Sequence, residues 1–180
     1  MITGSQVTTN GGPSIPAARI TIAHTLFDAV AVTGQTGATR LFQVGPKLRD
    51  LVLKNNSGFP EGYLFFMTGA TGTETHFVME NNLFAKGQIG VFGNGTTEGV
   101  SSLQAYAPEA LLRGNVLVGA DPAKYPDGNA FPVSLLSAGL TGFGIETYRL
   151  GSTTFTSTTT DGQAAGVNLA ELERRLSGVK

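Results

Sequence analysis

The chain has 180 residues, of which 41% are hydrophobic and only 14% charged, with a net charge of −1 and no cysteine. That length suffices for one domain with a real core. The missing cysteines exclude disulfides and thiolate metal sites, and the twelve basic residues are too few and too scattered to form a phosphate-binding field. Soluble domains ordinarily carry about a quarter charged residues. Here polarity rests instead on Thr, Ser, Asn, Gln and Gly, as expected of a chain that hides surface against copies of itself, because interface cores are depleted in Lys, Glu and Asp.

Residues 1–16 read as an extended N-terminal arm. Asn10-Gly11-Gly12-Pro13 breaks any regular structure. The segment carries no Lys or Arg, which disfavours contact with nucleic acid. Ile2, Val7 and Ile15 are its sparse apolar anchors. The arm is expected to contact another subunit, adding backbone hydrogen bonds to an exposed sheet edge. Met1-Ile2-Thr3-Gly4-Ser5 has neither the basic nor the apolar region of a signal peptide. No apolar run approaches the roughly eighteen residues of a membrane span. Synthesis in a cytoplasm, without export, is the expectation.

Residues 17–152 carry strand signals. Arg19 to Ile22 alternates polar and apolar. Short apolar runs follow at Ala29–Thr33, Thr39–Val44, Leu48–Lys54, Tyr63–Met67, Thr75–Glu80 and Gln88–Phe92. Ser101–Tyr106, Val116–Val118, Phe131–Leu136 and Gly144–Leu150 continue the series. Turn clusters such as Asn55-Asn56-Ser57-Gly58 and Gly93-Asn94-Gly95 separate them. Short strands with such punctuation, no helical crossovers and no solenoid-length repeat predict an all-β fold, a two-sheet sandwich of jelly-roll type. Alternation places Ile20, Ile22, Leu51, Leu53, Leu64, Phe66, Phe77 and Val91 in the core.

Residues 153–180 comprise a Thr/Ser/Gly-rich segment and a short C-terminal helix. Asn168 is placed to N-cap, with Glu171 at the capping-box position. Leu169, Leu172 and Leu176 form one apolar stripe. A helix of about ten residues is unstable alone, so the stripe must dock, and a neighbouring subunit is the expected surface.

Chemistry-bearing patterns are sparse. His24 and His76 belong to no metal-ligand spacing, although alternation would put Glu74 beside His76. Ser57 and Ser152 lie in turns without a predictable base. The glycines around Gly93 lack the spacing and the following helix of a dinucleotide loop. Asp121, Asp127 and Asn129 offer oxygens in one loop, but not at EF-hand spacing and with Lys124 among them. Tyr106, Tyr125 and Tyr148 are candidate sugar contacts. No catalytic, cofactor or metal site is expected, and no cofactor should be needed for folding.

In composition and organisation, from the uncharged arm through the Thr- and Gly-rich strands to the terminal leucine stripe, the chain resembles bacteriophage capsid proteins. The resemblance is to small jelly-roll coat subunits or to the cement proteins that decorate a shell. It implies a virion structural protein, a homo-oligomer whose partners are its own copies and other capsid proteins. The uncharged arm favours the outer layer over the genome. A carbohydrate- or surface-binding β-sandwich module and a tail-tube subunit are the alternatives.

Overall fold

The computed structural model describes residues 16–27, 39–140 and 155–168, together with Glu171, Leu172, Arg174 and Ser177. The strands are β1 (Ala18–Ala23), β2 (Leu26–Phe27), β3 (Arg40–Val44), β4 (Arg49–Lys54), β5 (Ser57–Gly58), β6 (Tyr63–Met67), β7 (Val78–Glu80), β8 (Leu83–Ala85) and β9 (Ile89–Gly93). A helix, α1 (Val100–Tyr106), then precedes β10 (Leu111–Arg113) and β11 (Val116–Val118).

Every strand pairing among these residues is parallel. The sheets run β1-β4-β7-β10, β2-β5-β8-β11 and β3-β6-β9. Each strand therefore pairs with its counterpart one winding further along the chain, and consecutive strands lie in different sheets. The chain coils through three walls as a parallel β-solenoid, with successive windings β1-β2-β3, β4-β5-β6, β7-β8-β9 and β10-β11. This overturns the jelly-roll expectation, which requires antiparallel strands in two sheets. Parallel neighbours need a long crossover. Here the other strands of the same winding supply it, so the absence of helical crossovers did not exclude a parallel sheet.

The turn between the first two walls explains the winding. His24, Asn55, Asn81 and Gly114 occupy it with φ of 53°, 52°, 56° and 67°, a left-handed conformation that Asn and Gly tolerate best. One such residue bends the chain from one wall to the next without reversing it. The following residues, Thr25, Asn56, Asn82 and Asn115, point inward and stack. Asn82 donates to the Leu53 carbonyl at 2.9 Å and accepts from the Asn56 amide at 2.9 Å, while Asn115 accepts from the Asn82 amide at 3.0 Å. Asn129 ends the column by accepting from the Asn115 amide at 3.0 Å. Asn56, Asn82 and Asn115 are wholly buried, and their amides bond one another and main-chain carbonyls. A repeat is thus present after all, with intervals of 31, 26, 33 and 14 residues along the column.

Inside, side chains stack in register. Ile22, Leu53, Met79 and Leu112 form one column, and Phe42, Phe65 and Val91 another. Phe65 lies 5.2 Å from Phe42 and 5.0 Å from Phe77 between ring centroids. Of the expected core, Leu51, Leu53, Leu64, Phe77 and Val91 are buried, and Ile20 and Ile22 pack half-buried against the same cluster. Phe66 is the exception and faces outward.

A second apolar cluster covers the outer face of β2-β5-β8-β11. Leu83, Val116 and Val118 meet Ala138, Leu140, Ala165 and Val167. Gly166 donates to the Asn81 carbonyl at 2.8 Å, Val167 to Ser57 Oγ at 3.0 Å, and Thr160 to Asn81 Oδ1 at 2.9 Å. The described part of the Thr/Ser/Gly-rich segment is therefore anchored to the solenoid. Asn168 caps the turn that follows, its Oδ1 accepting from Glu171 at 3.0 Å, while the Glu171 carboxylate takes the Arg174 guanidinium.

Two other strand expectations fail. Ser101–Tyr106 lies within α1, and Phe131–Leu136 forms no strand. The runs Ala29–Thr33 and Gly144–Leu150 lie outside the described residues.

Candidate interaction surface

The outer face of β3-β6-β9 presents two registered rows, Arg40, Tyr63 and Ile89, then Gln43, Phe66 and Phe92. The outward residues recur every third position because both intervening residues turn inward: Leu64 and Phe65 are each buried. This step replaces the two-residue alternation that put Phe66 in the core. Phe66 and Phe92 stack at 5.9 Å and 16°, and Tyr63 lies 5.7 Å from each. The Arg40 guanidinium sits 4.2 Å above the Phe66 ring and donates to Gln43 at 3.0 Å. Tyr63, Phe66, Ile89 and Phe92 are all half-buried. The result is an apolar strip on a flat wall, with Arg40 as its one charge among these six residues.

The edge of that wall is closed at β9. Gly90 donates to Glu98 Oε1 at 3.1 Å, Val91 to the Tyr125 hydroxyl at 3.1 Å and Gly93 to Ser102 Oγ at 2.8 Å. The Tyr125 hydroxyl donates to Glu98 Oε1 at 3.0 Å, and Lys124 holds Oε2 at 3.3 Å. Burial pushes the Tyr125 phenol up, reinforced by Glu98, so it stays protonated. Exposed strand edges recruit other strands, and side chains occupy these amides instead. A side chain at Gly90 would collide with the Tyr125 hydroxyl.

The other candidate residues separate. His76 pairs with Asp50 at 2.8 Å on the surface, not with Glu74. Glu74 is 3% exposed. His24 serves as a left-handed turn residue. A helix does follow Gly95, contrary to expectation, but α1 has only seven residues and caps the β9 edge through Ser102. Asp121 accepts from the Ala123 amide and Asn129 completes the asparagine column, while Asp127 is exposed. Ser57 fixes Val167, and Tyr106 donates to the Asn94 carbonyl. Ser152 and Tyr148 lie outside the described residues. No group of three or more His, Asp or Glu side chains suited to a metal occurs among the described residues.

Of the expected subunit contacts, Ile2, Val7, Ile15, Leu169 and Leu176 lie outside the described residues. Leu172 packs half-buried against the second cluster of its own chain. No helix among the described residues is long and apolar enough to cross a membrane. Taken one by one along the sequence, the residues of the aromatic strip read as core. A shared three-residue step in Arg40-to-Gln43, Tyr63-to-Phe66 and Ile89-to-Phe92 was the available signal.

No family model, curated protein or solved structure matches this chain.

Proposed function

We propose that this chain is a non-catalytic structural subunit that associates with copies of itself through the outer face of β3-β6-β9. The assembly would be of the kind a bacteriophage particle contains, made in a host cytoplasm and carried in the virion. The carrying observation is the Arg40–Phe66–Phe92 stack flanked by Tyr63 and Ile89. Interface cores are enriched in aromatics and Arg and depleted in Lys, Glu and Asp, and this strip has that composition. A sugar stacks on an exposed ring face. Here Phe66 has Arg40 over it and Phe92 stacked on it, which favours a flat protein partner over a glycan. The low charge of the whole chain supports the same reading.

Size-exclusion chromatography with light scattering tests it. The wild type should be oligomeric at micromolar concentration. Phe66→Glu should shift it to monomer while its circular dichroism spectrum is retained. A monomeric wild type that binds a glycan array would overturn the proposal in favour of a carbohydrate-binding module.

A further inference from the structure

Glu74 is the buried ionisable group with the least compensation in the described structure. It lies in the connection between β6 and β7 and is 3% exposed. Thr73 Oγ1 lies 3.4 Å from its Oε2, whereas Oε1 has no hydrogen-bond partner. The carboxyl borders a small cavity lined by Val44, Leu48, Leu51, Phe65, Met67 and Phe77, with room for roughly one water molecule. An ionised carboxylate with an orphan oxygen against such a lining is costly, and a neutral acid much less so.

The corner that holds it is tied on two sides: the Lys47 amide donates to Thr73 Oγ1 at 3.1 Å and the Asp50 amide to the Thr75 carbonyl at 3.0 Å. Gly72 donates to the Ala105 carbonyl at 2.6 Å and Glu74 to the Tyr106 carbonyl at 3.2 Å, tying the connection to the end of α1. Thr75 donates to the Leu48 carbonyl at 3.1 Å. The charged and titratable groups on the elements packed around it are engaged elsewhere or exposed. Asp50 and His76 pair with each other, the Tyr106 hydroxyl donates to Asn94, and Lys47 and Arg49 are exposed. None supplies a counter-charge to Glu74.

We propose that Glu74 is a protonation-controlled latch, holding the connection between β6 and β7 closed on the end of α1 when neutral and releasing it when ionised. Release would admit water to the cavity and expose the apolar corner formed by Leu48 and Phe77. The direction agrees with burial, which raises the Glu74 carboxyl to about 7 against the opposing hydrogen bonds of residues 73 and 74. The latch is independent of the assembly reading, because Glu74 lies away from the outward rows of β3-β6-β9.

Hydrogen exchange of the Gly72, Glu74 and Thr75 amides tests the latch, after correction for intrinsic base catalysis. With the open corner titrating at the ordinary value, protection should fall about tenfold between pH 6 and pH 8. The Asn82 amide should not follow. Glu74→Gln should abolish the pH dependence. Equal protection at both pH values, or the same decline in Glu74→Gln, would overturn the proposal. Should Glu74→Gln fail to fold, a carbon-13 titration of the wild-type Glu74 carboxyl decides. A midpoint near 7 supports the latch, and one below 5 refutes it.

Discussion

Asn82 Oδ1 accepts from both amides of Asn56, the main-chain N–H at 2.9 Å and the side-chain Nδ2 at 3.1 Å, from one winding to the previous one. Asn82 in turn donates to Leu53 and Asn115, so one side chain ties its own winding to the one before and the one after. Replacing it with alanine orphans several buried polar groups at once. Each such group costs about 1–3 kcal/mol. Asn82→Ala should therefore lose about 3 kcal/mol or more by urea denaturation. A loss below about 1 kcal/mol would show that the column is not a principal support.

Phe65 and Phe66 are adjacent but face opposite ways. Phe65→Ala should cost about 3–5 kcal/mol, as aromatic truncations in packed cores do. Phe66→Ala should cost markedly less in a monomeric background, since it removes only the half-buried outer stack. Equal losses for the two would contradict the inward and outward assignment.

Glu80 stands between Lys54 at 3.1 Å and Arg113 at 2.8 Å, one winding to each side. Burial pushes its carboxyl up. Hydrogen bonds from Lys54 and Thr160 and the charges of Lys54 and Arg113 outweigh that and hold it below the usual 4.5. A depressed carboxylate stabilises the fold above its unfolded pKa, and the contribution is lost as pH falls through the folded value. The wild type should thus lose stability below about pH 4.5, and Glu80→Gln should flatten that part of the profile. An unchanged acid limb in Glu80→Gln melts would assign the loss to other carboxylates.

Tyr125 supplies the acceptor for the Val91 amide at the β9 edge. Tyr125→Phe keeps the ring against Phe131 but leaves that amide unpaired. The expected cost is about 1–2 kcal/mol, read as a lowered denaturation midpoint. A midpoint equal to wild type would show that the edge amide finds another partner.

Local sequence determined the strands at Tyr63–Met67 and Arg49–Lys54, the punctuation between them and the Asn168 cap, because alternation, turn residues and caps act within a few residues. It did not determine which strands pair. Alternation says that one strand face is buried, and is silent on whether the partner runs parallel or antiparallel. That choice rests on single left-handed residues such as Asn55 and Asn81 and on the asparagines after them, which look like ordinary turn residues until stacked. Their spacing of 31, 26 and 33 residues hid the repeat, since connections of different length, one of them containing α1, leave the winding intact. Stacking also decided the exterior. Arg40, Phe66 and Phe92 are far apart in the chain and become one strip only because parallel register carries each onto the next winding. Glu74, an ordinary surface residue by type, is buried by the connection that folds it against the interior.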